Sequence, residues 1–277
     1  ITFSGPVVIN ARSLTMRGDS GLQHSASLAN TSGVILNLGG NDVFVRNLSG
    51  GGTSGGNIVL GSGELIIDTV SGSNATFTGV ISGTGSVVKK GYGSLTLTAA
   101  NTYTGGTTIS EGSLVVGINN ALKSTGAVVV SSPEFNSGSG AVLVIADGFS
   151  QTIGTLSGSS GGSMLNITGD LTVTQGVTGS YAGKINGQGT FTKAGSSALT
   201  LSNNINFFGT VTINAGSLIM GSNSYFYKTV TLSDTSGAVL NIGSTTLSVK
   251  GLVGGGSSGG NVTGNGRLNI VLTGSAD

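Results

Sequence analysis

Residues 83–117 read Gly83-Thr84-Gly85-Ser86-Val87-Val88-Lys89-Lys90-Gly91-Tyr92-Gly93-Ser94-Leu95-Thr96-Leu97-Thr98-Ala99-Ala100-Asn101-Thr102-Tyr103-Thr104-Gly105-Gly106-Thr107-Thr108-Ile109-Ser110-Glu111-Gly112-Ser113-Leu114-Val115-Val116-Gly117. Apolar and polar residues alternate in runs of three or four, and Gly, Ser or Asn closes each run. Alternation with period two is the mark of a strand with one buried face, and the closing residues are turn formers. The same reading extends outward in both directions. Val34-Ile35-Leu36-Asn37-Leu38, Val43-Phe44-Val45-Arg46, Leu65-Ile66-Ile67-Asp68, Val142-Leu143-Val144-Ile145, Leu171-Thr172-Val173-Thr174 and Leu268-Asn269-Ile270-Val271-Leu272 are all such runs. The best helical candidate, Asn119-Asn120-Ala121-Leu122-Lys123, offers one turn at most. The chain reads as all-β.

It also repeats itself. Residues 83–117 align without a gap on 187–221, with 14 of 35 positions identical, among them Lys89/Lys193, Leu95-Thr96-Leu97/Leu199-Thr200-Leu201 and Gly112-Ser113-Leu114/Gly216-Ser217-Leu218. Residues 33–57 align on 237–261 with 13 identities in 25, including Gly50-Gly51-Gly52/Gly254-Gly255-Gly256. The stretch from Gly140 is a weaker middle copy. The superrepeat copies lie near 33–117, 140–221 and 237–277, within one continuous segment over 1–277.

Composition sets the limits. The 277 residues include 52 glycines, two prolines, no cysteine and no tryptophan, and only 8 % are charged, with a net charge of +1. This excludes a disulfide scaffold, a thiolate metal site and a cysteine nucleophile. So few, scattered basic residues argue against nucleic acid or anionic membrane as partner. The mean hydropathy of +0.31 and the many Val, Ile and Leu runs argue against disorder. No apolar run approaches the ~18 residues of a membrane-crossing helix. The opening residues carry no basic segment before an apolar run, so a mature or excised segment is expected.

Three features favour a parallel β-solenoid over a sandwich or barrel. Internal repetition suits an architecture whose units touch only their neighbours. Hairpin signals are sparse, with Asn186-Gly187 and Asn265-Gly266 the two Asn-Gly pairs. Composition does not change along the chain. A coil of roughly 20 residues carrying three short strands gives on the order of a dozen coils, with Gly and Asn at the corners and Val, Ile and Leu stacked inside.

Residues 83–117, with their Gly-x-Gly, Lys, Leu-Thr-Leu, Asn-Thr-Tyr-Thr-Gly-Gly-Thr and Gly-x-Leu, resemble the passenger-associated repeat of autotransporters, the type V secreted surface proteins of Gram-negative bacteria. The copy at 187–221 departs in its middle, Asn204-Ile205-Asn206-Phe207-Phe208-Gly209-Thr210, but keeps an aromatic Phe207 where Tyr103 stands. The resemblance implies a right-handed parallel β-helix, export through the outer membrane, and display or release at the cell surface. It also implies contact with a membrane only through a C-terminal β-barrel outside this sequence. The expected function is a non-catalytic stalk or adhesin that meets a host-cell surface, a neighbouring bacterial surface or another copy of itself, with no cofactor and no metal. Two alternatives stand beside it: a self-assembling extracellular fibre or surface-layer subunit, and a solenoid carbohydrate-active enzyme.

Motifs that could carry chemistry are few. Arg17-Gly18-Asp19 is the tripeptide that integrins recognise, and it is the candidate adhesion site. Gly18-Asp19-Ser20-Gly21 resembles the nucleophile segment of trypsin-like proteases. The only histidine, His24, lies four residues from Ser20, and no independent protease domain fits. Glu64 and Asp68 stand at opposite ends of one run, too far apart for a glycosidase pair. Gly39-Gly40-Asn41-Asp42 resembles one calcium-binding nonapeptide but does not repeat. The triple glycines lack the Gly-Lys-Ser/Thr of a phosphate cradle and read as flexible corners or extruded loops. Lys89-Lys90 reads as a solvated corner. Tyr103, Phe207, Phe208, Tyr225, Phe226 and Tyr227 either stack sugars or form ladders in the core.

Overall fold

The structure, a computed structural model, describes residues 2–3, 5–132 and 140–271. Among these there is no helix, and every paired strand runs parallel to its neighbour. Parallel partners must be separated by a full circuit of chain. Val43 pairs with Leu65, Leu65 with Val87, Val87 with Thr107 and Thr107 with Val128, each step being one coil. The result is a parallel β-solenoid of about 12 turns, as the alternation and repetition predict.

Each coil presents three faces. The first carries Leu65–Asp68, Val87–Lys90, Thr107–Ile109 and Ala127–Val130, one above another. The second carries Asn74–Phe77, Ser94–Leu97, Ser113–Val116 and Val142–Ile145. The third begins with Ser13–Thr15, Ile35–Asn37, Asn57–Val59 and Ile81–Ser82. It continues as Ser150–Ile153, Asp170–Val173, Thr190–Lys193 and Thr210–Ile213. Burial alternates along almost every strand, so each face sends one column of side chains inward. On the first face one column runs Leu22, Val45, Ile67, Lys89, Ile109, Val130. All but Lys89 are aliphatic, and all six are buried.

The superrepeat and the coil are not commensurate. Lys89 lies on the first face and its counterpart Lys193 on the third; Leu95 lies on the second and Leu199 on the first. A shift of 104 residues therefore turns the motif back by one face. The 204-residue shift turns it back by two, carrying Ile35–Asn37 on the third face to Val239–Asn241 on the first. The motif keeps its internal geometry because all three faces supply the same local environment: two flanking strands and an apolar interior.

Two details depart from the sequence reading. Ser20–Leu28 and Val43–Gly50 are single strands that bend across two faces, with the register slipping at the corner, as do Ser224–Leu232 and Thr246–Gly254. Asn119–Lys123 makes no helical turn. Asn120 takes a φ of +53° and its N–H donates to the Ser150 carbonyl of the next coil. The expected strand at 268–272 is Arg267–Ile270, and Leu272 lies outside the described residues.

Candidate functional site

Corners, where the backbone leaves the ladders, decide which side chains are free to act. Arg17, Gly18 and Asp19 are all exposed at the corner preceding Ser20–Leu28, with Gly18 at a φ of +80°. The Asp19 carboxylate accepts the Asp42 N–H at 3.2 Å. Asp42 repeats the contact one coil on, accepting the Glu64 N–H at 2.8 Å, and Ser86 Oγ donates to Glu64 Oε2 at 3.1 Å. These acids thus staple successive coils. Ser20 Oγ donates to the Gly18 carbonyl at 2.7 Å, while His24 is exposed on the bend of the same strand. Asp68, at the far end of its strand, stands 3.7 Å from Arg46 of the preceding coil. Glu64 and Asp68 thus serve different corners. Among the described residues no three His, Cys, Asp or Glu side chains gather as a metal site.

Lys89 is not a solvated corner. It is fully buried, as is Lys193, while its neighbour Lys90 is exposed. The Lys89 ammonium donates to the carbonyls of Lys90 (2.7 Å), Gly91 (2.7 Å) and Glu111 (3.2 Å). Lys193 makes the same three contacts, to Ala194 (2.7 Å), Gly195 (2.8 Å) and Ala215 (3.0 Å). Two of each set lie on the turn after the lysine, and the third belongs to the next coil. Each ammonium therefore ties a corner to the coil stacked on it. Desolvation lowers both pKa values to about 8; the charges of Asp68 and Glu111 partly oppose this for Lys89. Since about 8 is still above neutral, both ammonium groups carry their charge at pH 7.

The motif's second fixed point is its aromatic. Tyr103 is buried, and its hydroxyl lies 2.6 Å from Thr107 Oγ1. Burial drives its pKa up to about 12, against the smaller opposing effect of that bond. In the second copy Phe207 and Val211 replace the pair, and both are buried. Removing both hydroxyls together leaves no polar atom stranded. Buried amides do related work elsewhere: Asn101 accepts the Ile81 N–H and donates to the Ala121 carbonyl, both at 2.7 Å. Gln151 accepts the Leu122 N–H at 2.9 Å.

The triple glycines are close-packed corners, not flexible or extruded loops. Gly50 has a φ of +87°, and a Cβ there would sit 2.2 Å from the Leu28 carbonyl oxygen. At Gly254 the corresponding values are +90° and 2.0 Å, from Leu232. Asn30 Oδ1 accepts the N–H groups of Ser54 and Gly55, and Asp234 Oδ1 does the same for Ser258 and Gly259.

Position at a corner also sorts the aromatic residues. Phe207 and Phe226 are buried beside one another in the core. Phe208 is half exposed, and its ring stacks on Tyr227 with centroids 4.0 Å apart and planes 8° apart. Tyr225 leans on Tyr227 at 4.2 Å and 41°. Alternation alone could not assign this cluster, because Tyr227 and Lys228 occupy a bulge where the register slips between Phe226 and Thr229.

Comparison with known proteins agrees with this architecture. Residues 87–116 and 191–220 match the passenger-associated-transport-repeat family, the two spans that hold the buried lysines. The chain is 34 % identical over 187 residues to a protein of Brucella suis biovar 1 (strain 1330) named adhesin BmaC autotransporter. The match covers 66 % of this chain and 5 % of that relative. No solved structure matches it.

Proposed function

We propose that this chain, a segment of an autotransporter passenger, is a surface-exposed stalk with an adhesive face and no catalytic role. The observation that carries the reading is the lysine knot, built alike at Lys89 and Lys193 inside the two matched repeats. A knot that joins a turn to the coil above it fixes register without closing any long-range sheet. A chain delivered end-first can then add coils in order, since each coil needs only its neighbour as template. Lack of cysteine suits passage through an oxidising compartment. On this reading the chain is one continuous solenoid over 1–277, with superrepeats near 33–117, 140–221 and 237–277, the last six residues lying outside those described. Its partner is a host-cell surface or a neighbouring bacterial surface. Arg17, Gly18 and Asp19, exposed together, are the tripeptide an integrin-type receptor would meet.

The test is display. Fused ahead of a translocator barrel in a Gram-negative host, the chain should reach the surface and increase attachment to epithelial cells over the barrel alone. Surface display without any gain in attachment removes the adhesive role; failure to reach the surface removes the passenger stalk as well. An Asp19→Glu variant that attaches as the parent does removes the tripeptide alone.

A further inference from the structure

The geometry points to a binding site for an anionic glycan, built from Phe208, Tyr225, Tyr227, Lys228 and Lys250. This rests on the adhesive reading above and names the chemistry of its ligand. Phe208 and Tyr227 come from successive coils and form one nearly flat aromatic wall, 4.0 Å between centroids and 8° from parallel. Tyr225 closes one side at 41°. One half-exposed ring and two partly buried ones, gathered in a protein with 5 % aromatic residues, are a local concentration of surface that gains from being covered. Such a wall suits the flat apolar C–H face of a sugar, and the tyrosine hydroxyls suit its rim.

The charge beside the wall identifies the class of sugar. The bulge sets two residues, Tyr227 and Lys228, against the single Lys250 of the next coil. It thereby brings two exposed lysines together next to the rings. Like charges on neighbouring strands destabilise the sheet unless something answers them. Among the described residues neither lysine has an ion-pair partner, and Lys228 Nζ makes only a long contact, 3.5 Å, to the Gln188 carbonyl. The shallow groove that they share is lined otherwise by Thr210, Tyr227, Thr229 and Thr231, with no carboxylate. Bulges re-aim side chains and gather at functional sites. A saccharide carrying carboxylate or sulfate groups answers both features at once, with its ring on the aromatics and its charge on the lysines.

The experiment titrates the 277-residue chain with three oligosaccharides of equal length, namely an oligogalacturonate, a heparin hexasaccharide and neutral cellohexaose. Binding is followed by calorimetry and tyrosine fluorescence. At least one acidic probe should bind about tenfold more tightly than cellohexaose and weaken with salt, and which of them binds separates carboxylated from sulfated ligands. Phe208→Ser and Tyr227→Ser should each weaken binding by about tenfold. Lys228→Gln/Lys250→Gln, which leaves the rings in place, should abolish the preference for acidic probes. Equal binding of cellohexaose, binding unchanged in the lysine variant, or no binding of either acidic probe overturns the assignment. If the displayed chain still attaches to cells in that last case, the adhesive reading stands and only the glycan site falls.

Discussion

Replacing Lys89 by methionine keeps the apolar stem and removes the ammonium. Of its three acceptors, the Lys90 carbonyl also receives the Thr69 N–H at 3.0 Å, whereas the Gly91 and Glu111 carbonyls have no other partner among the described residues. Stranding a buried acceptor costs ~1–3 kcal/mol, so two give about 2–6 kcal/mol. Against this stands the relief of no longer burying a charge. That relief offsets part of the loss, since desolvation already disfavours the charged form. The net loss should be ~2–3 kcal/mol, and it should be local. In a solenoid a lesion weakens the coils it touches before the rest. Hydrogen exchange should therefore lose about 30- to 150-fold protection at 87–113 and little elsewhere. Lys90→Met, on the exposed neighbour, should change it by less than about twofold. If the two variants behave alike, or if Lys89→Met protects more than the parent, the ammonium does not hold the coils together and the account of the repeat is wrong.

Other outcomes follow from the same contacts. Stability should rise with pH from about 8 toward 10.5, because the unfolded lysines still hold protons that the folded ones have released; Lys89→Met/Lys193→Met should lose that rise in urea midpoints taken at pH 7, 8.5 and 10. Tyr103→Phe should cost ~1 kcal/mol by stranding the Thr107 hydroxyl, and Tyr103→Phe/Thr107→Val should recover most of it, which a double-mutant cycle of thermal midpoints reads directly. Gly50→Ala should cost about 3 kcal/mol or more, since the Leu28 carbonyl must move as well as φ. Gly72→Ala, at a φ of +77° with open space around it, should cost only ~1 kcal/mol.

Much of this architecture is written in the residues. Period-two runs such as Leu95-Thr96-Leu97 and Val142–Ile145 are strands with the buried set where alternation places it. Many of the glycines between them mark corners where a Cβ would strike a neighbouring coil, as at Gly50 and Gly112. What alternation cannot show is the environment of a charge. Lys89 and Lys90 look alike in sequence, yet one continues an aliphatic column and the other stands outside it. Nor could the pattern place Tyr227 and Lys228, because the bulge after Phe226 resets the parity of the residues beyond it. The matched pairs Tyr103/Thr107 and Phe207/Val211 held a clue to burial, since both members change together between copies. The acids at 19, 42 and 64 escaped notice because they converge only when coils of unequal length are stacked.

The mismatch between repeat and coil has a geometric outcome for any longer array of these units. Each successive copy points a third of a revolution away from the one before it, so three in a row look out in three directions around the shaft. A feature borne on the outer side of the unit would thus spiral along the rod like the treads of a staircase. A surface approaching from any bearing would find some copy turned toward it.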